Sequence, residues 1–168
     1  MKHLMLFAVV LSIALVIGCS EDEETTTPVI PTPTIVGTWK AEGLGFVAPG
    51  LYAPPFNVRK IIATFNNDLS YTVVSTDSAG AEITYTGAYA TTAGVDTIRN
   101  IVLNQSTPTT LTSTGIYSAG LILMTYEVIQ TSPQIPGFTP PTAAAGFGST
   151  AYNSVPLGQL WIQRYIKQ

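Results

Sequence analysis

The sequence has little of what most catalytic and metal chemistry needs. Histidine occurs once, at His3, and cysteine once, at Cys19. A Ser-His-Asp or Cys-His system requires a histidine beside its nucleophile, and the chain after residue 34 has none. Zinc sites built from His and Cys fall with the same absence. A lone cysteine also has no disulfide partner within the chain. Charge is sparse, with seven Lys and Arg against ten Asp and Glu and a formal net charge of −3. The acidic excess sits in Glu21-Asp22-Glu23-Glu24. Beyond it, Glu42, Asp68, Asp77, Glu82, Asp96 and Glu127 are balanced by Lys40, Arg59, Lys60, Arg99, Arg164 and Lys167. No basic stripe runs along the chain, which argues against a nucleic-acid partner. The scattered carboxylates offer neither the pair in one cleft that a glycosidase uses nor an Asp/Asn cluster with calcium-loop spacing. The expectation is a protein that is not an enzyme and holds no metal or cofactor.

Long apolar runs are scarce too. The one present, Leu4 to Ile17, is shorter than the about 20 residues of a membrane-spanning helix. It follows Lys2 and His3 and ends at the small Gly18, the pattern of a signal peptide. Val16-Ile17-Gly18-Cys19 resembles the lipobox of bacterial lipoproteins. The resemblance implies cleavage after Gly18 and lipidation of Cys19, with a thioether-linked diacylglycerol and an N-acyl chain. Such chains anchor a protein to a membrane, each buried CH₂ contributing about 0.8 kcal/mol. It also implies, through Ser20, sorting to the outer membrane. The acidic run 21–24 is similar to a signal for display on the cell surface, and reads equally as a solvated tether; the two are compatible. Thr25 to Thr34 (TTTPVIPTPT) is Pro/Thr-rich, which favours an extended spacer. The expected organisation is a signal peptide at 1–18, a tether at 19–34 and one domain at 35–168.

The domain is rich in Thr, Tyr, Val and Ile and is cut by Gly, Asn, Asp and Pro. Short alternating runs dominate, as an all-β domain requires. Eight strands are expected, at Ile35–Glu42, Val58–Phe65, Leu69–Thr76, Ala81–Thr91, Thr97–Leu103, Leu111–Tyr117, Leu121–Gln130 and Leu157–Ile166. In the fourth, Ile83, Tyr85, Gly87 and Tyr89 share one face. Consecutive strands with mostly short links predict an eight-stranded antiparallel up-and-down barrel, whose closure removes exposed edges. A barrel of this size is filled by side chains or holds one small ligand.

Gly37-Thr38-Trp39 resembles the Gly-x-Trp signature of lipocalins, and the order IVGTWK, ATFNNDLSYTV, TGAY, LWIQRYIK is similar to the lipocalin-like domains of bacterial lipoproteins. The Thr-Asp-Tyr block and the disulfide of that family are missing. The resemblance implies a barrel floor made by Gly37 and Trp39, with a C-terminal Arg stacked on the Trp; Arg164 is the matching residue. Arg164 shares an alternation face with Leu160, Ile162 and Ile166, so an inward face would require a partner for its charge. Stacking on Trp39, receiving a ligand carboxylate and plain solvent exposure stay open for it.

Two connections are long: Leu44–Asn57, and Thr131–Pro156 with its five prolines. Loops of this length are often lids or binding segments. In an up-and-down barrel both fall at one rim, and the short turns and the tether fall at the other. The long loops then edge a mouth, facing away from the membrane, with Phe46, Leu51, Tyr52, Phe56, Ile135, Phe138 and Phe147. These residues either plug the barrel, bind a ligand or meet a partner. The leading expectation is a monomeric, membrane-anchored barrel that binds a small hydrophobic or amphipathic ligand through Phe46, Tyr52, Phe56, Tyr85, Tyr89 and Arg164. The alternative is a filled barrel whose aromatic loops contact protein or glycan.

Overall fold

Alternation of apolar and polar residues, punctuated by turn formers, folds the domain into strands. The computed structural model describes residues 33–168. The segment expected to be a signal peptide, Cys19 and the part of the expected tether up to residue 32 lie outside the described residues. Seven strands follow one another: β1 Gly37–Glu42, β2 Val58–Phe65, β3 Ser70–Asp77, β4 Glu82–Thr92, β5 Arg99–Thr107, β6 Leu111–Ala119 and β7 Leu123–Ser132. A four-residue helix, α1 Pro49–Tyr52, lies between β1 and β2. After β7 come three two-residue strands, β8 Phe138–Thr139, β9 Ala151–Tyr152 and β10 Val155–Pro156, which form a small sheet of their own. The last strand is β11, Gln163–Lys167. The sequence places this strand from Leu157, but Gly158 takes a left-handed φ of 58° and Gly158–Trp161 wind into a 3₁₀ turn instead.

The eight long strands close into a barrel in the order β1-β11-β7-β6-β5-β4-β3-β2, every pair antiparallel. Each wall strand neighbours its predecessor, and β11, paired with β7, closes the barrel against β1. The seam it makes with β1 is short, joining Trp39 to Lys167 and Lys40 to Ile166. Closure needs backbones to crowd in places. At Gly115, buried within β6, a Cβ would collide with the Glu127 carbonyl of β7.

Alternation sends Trp39, Ala41, Ile61, Ala63, Phe65, Tyr71, Tyr89, Ile101, Leu103, Met124, Tyr126 and Tyr165 into one buried cluster. Fully burying a large apolar side chain contributes about 1.5–3 kcal/mol, so this inner face carries most of the stabilisation. The connections at 43–57, 78–81, 108–110 and 133–162 share one rim. Those at 66–69, 93–98 and 120–122 share the other, along with the incoming segment 33–36, so both long connections do leave from the same end.

The second long connection does not stay at the rim. Ile116, Glu127 and Ile129 point away from the inner residues Tyr117, Tyr126 and Val128, yet all three are buried. The connection covers them. The Glu127 carboxylate accepts hydrogen bonds from the Gly148 N–H at 2.6 Å and the Thr150 N–H at 3.0 Å. Further along, Ala143 is buried beside Gly94, in a turn of the opposite pole. Residues 133–156 thus form a strap down the outer wall. Phe147, between Gly146 and Gly148, lies along this strap and not on the mouth where the sequence suggests it.

Candidate functional site: the barrel cavity

The floor is built around Trp39, which is fully buried. Segment 33–36 runs beneath the barrel, where Pro33 and Thr34 border a small cavity together with Asp96, Thr97 and Arg99. Ile35 is buried in the core, and its carbonyl accepts the Trp39 indole N–H at 2.6 Å. Gly37 has a φ of 129°, and a Cβ there would stand 2.9 Å from Lys167 Cε. The missing side chain lets Lys167 cross Trp39, with Nζ 5.1 Å from the ring centroid. Gly37 and Trp39, the residues expected at the floor, thus lie together beside the incoming segment 33–36.

The stacked cation is not the expected one. Arg164 is exposed on the outer face, and its Nη2 donates to Gln159 Oε1 at 2.9 Å. The reason is parity. Because β11 starts at Gln163, its inward residues are Gln163, Tyr165 and Lys167, and the apolar residues that share Arg164's alternation face do not line the interior.

Above the floor lies an aromatic layer. Phe65 meets Tyr89 edge to face at 5.1 Å, and Tyr126 meets Tyr165 in the same way at 5.9 Å. The Tyr89 hydroxyl donates to the Asn66 carbonyl at 2.8 Å, and the Tyr165 hydroxyl to Gln163 Oε1 at 2.6 Å. Burial pushes the Tyr126 and Tyr165 phenols well above their usual range, with further upward pressure on Tyr126 from Tyr165 and Tyr71. Burial also raises Tyr71 and Tyr85. These groups are therefore neutral hydrogen-bond donors across the ordinary pH range.

Over this layer the interior is hollow. A cavity of about 340 Å³ extends from Phe65, Met124 and Tyr126 up to Leu51, Phe56 and Trp161 at the long-connection rim. Its walls are mainly Val58, Ile61, Ala63, Val73, Leu103, Leu111 and Val128, with Ser75, Ser113, Gln105, Gln130 and Gln163 interspersed. Among the described residues, no charged side chain lines it. Gln105 and Gln130 each tie their amide nitrogen to a rim carbonyl, of Thr109 and Pro133 respectively. At the mouth Trp161 packs against Phe56 at 6.5 Å and Phe138 at 6.3 Å. Its buried indole N–H has no hydrogen-bond partner among the described residues.

The expected ligand residues divide. Phe56 and Tyr85 line the cavity. Phe46 and Tyr52 pack against the core from the first long connection without lining the cavity, and the Arg59 guanidinium lies 4.0 Å over the Tyr52 ring. Tyr89 belongs to the floor layer, and Arg164 to the outside. Tyr71, Tyr126, Gln105, Gln130, Gln163 and Trp161 line the cavity without having been singled out. Strand alternation carried the signal for Tyr126 and Gln130, whereas Trp161 was hidden inside an expected strand. Among the described residues, no group of three or more His, Cys, Asp or Glu is gathered. Comparison of the chain with protein-family models, with curated proteins and with solved structures gave no match.

Proposed function

We propose that this protein is a lipid-anchored, lipocalin-like carrier of the outer membrane that takes up a small hydrophobic or amphipathic molecule inside its barrel. The observation that carries this reading is the hollow interior of about 340 Å³, lined by apolar walls and reached from the rim. Ligand pockets run from roughly 300 to 1,000 Å³ and combine apolar walls with a few placed polar groups. A filled barrel working only through its loops would lack such a space. The anchored orientation draws support from the closed pole, where segment 33–36 enters. Its turns and the first residue of β7 expose Leu69, Val95, Leu121, Ile122 and Leu123, residues suited to a lipid surface. On this reading the base faces the membrane and the mouth faces away.

Native mass spectrometry of the protein extracted from its own membrane tests the carrier function. A co-purifying small molecule is expected. A clean apo mass, together with no uptake of apolar fluorescent probes, overturns it. The anchor has a separate test. Cys19→Ala should accumulate as uncleaved precursor, and normal cleavage after Gly18 in that variant would refute the lipoprotein reading.

A further inference from the structure

We infer that the cavity selects uncharged ligands carrying a hydroxyl or carbonyl oxygen, and discriminates against carboxylates of the same shape. The inference rests on the carrier reading and specifies its ligand class. Its first support is the composition of the wall, which supplies hydrogen-bonding groups but no charge. The nearest candidates for a counter-ion are all engaged elsewhere. Arg164 is outside, Arg59 covers Tyr52 at the rim, and Lys167 lies against Trp39 in the floor. A ligand carboxylate entering the cavity would shed its water with no cation to replace it, a transfer that costs far more than burying a neutral oxygen.

The second support is the set of donors left open. Tyr71 and Tyr126 are more than nine-tenths buried, both line the cavity, and their hydroxyls make no hydrogen bond to the described chain. Tyr85, higher on the wall, also lines the cavity. Tyr89 and Tyr165 have protein acceptors and are committed. The Tyr71 and Tyr126 hydroxyls open onto the bottom of an apolar cavity, where each is a donor within reach of a ligand oxygen. A molecule with an apolar body and one terminal oxygen would place that oxygen against Tyr71 and Tyr126, and its body between Leu103, Val128 and the rim aromatics.

The test uses a matched pair of probes, 4-phenylbutanol and 4-phenylbutanoate, titrated into the full chain by calorimetry. At neutral pH the alcohol should bind at least tenfold more tightly. The acid should gain affinity as pH falls through roughly 4–5, where a carboxylate takes up its proton, while the alcohol should not change. Tyr126→Phe and Tyr71→Phe preserve the ring, so folding is checked by circular dichroism. Each should weaken the alcohol about five- to tenfold, the worth of one hydrogen bond, and leave butylbenzene unaffected. Equal or tighter binding of the acid at neutral pH overturns the inference while leaving the carrier reading intact. An alcohol whose affinity is unchanged in both Phe variants also overturns it. Failure of alcohol, acid and hydrocarbon alike to bind counts against the carrier reading itself.

Discussion

The strap on the outer wall should come loose when Glu127 is changed to Gln. The carboxylate is fully buried and accepts one backbone N–H at each oxygen, from Gly148 and from Thr150. Hydrogen bonds to a charged acceptor contribute about 1.5–3 kcal/mol each. Gln keeps one carbonyl oxygen but turns an NH₂ group toward the second N–H. One charge-assisted bond is lost and a buried donor is left facing another donor, which costs about 1–3 kcal/mol. These terms overlap, so the expected local loss is about 2–4 kcal/mol. Opening of the strap would then become roughly 30- to 1,000-fold more frequent. Amide hydrogen exchange followed by mass spectrometry reads this directly. Peptides spanning 137–153 should lose protection by that factor, and those from β2 and β3 should hardly change. A change below threefold in the strap, or an equal change throughout the barrel, would refute the claim that Glu127 clasps the strap locally.

Trp39→Ala removes the floor, its hydrogen bond to Ile35 and the surface on which Lys167 rests. Denaturant unfolding should show a loss of about 3–5 kcal/mol, and a loss under about 1 kcal/mol would contradict the floor assignment. High pH should destabilise the barrel through Tyr126 and Tyr165. Their phenols are raised on folding, so the stability they contribute is complete below about pH 10, where an unfolded tyrosine titrates, and is lost as pH climbs above it. Each group should lower stability by about 1.4 kcal/mol per pH unit in that window. A urea midpoint that stays flat between pH 10 and 12 would count against their burial.

The barrel was legible because its strands alternate cleanly and its turns carry residues such as Asn66-Asn67-Asp68 that accept tight geometry. The floor was legible because Gly37 and Trp39 sit two residues apart, on one face of a strand. The cavity wall was only partly so. In β7 the outward face holds Glu127 and Ile129 and the inward face Tyr126 and Val128, so hydrophobicity does not separate the two. The cause is the strap, which buries the outer wall and removes the polar marking that a solvated face would carry. Arg164 was misplaced for a related reason, since Ile162 and Ile166 made its face look internal. The rim aromatics were visible as unusual loop residues. Their division between cavity, mouth and strap depends on how far the chain travels between β7 and β11, and alternation carries no information about that path.

The short seam bears on how the protein is made. β11 is the last of the eight wall strands to emerge during synthesis, and it alone joins β7 to β1. Until it arrives, the nascent sheet has two open edges and no roundness to enforce, and its final pairing links the most distant parts of the wall. Such non-local closure is slow, and open edges recruit other chains. The wall therefore closes only once β11 is available, and every earlier stage of folding leaves β1 and β7 as unpaired edges.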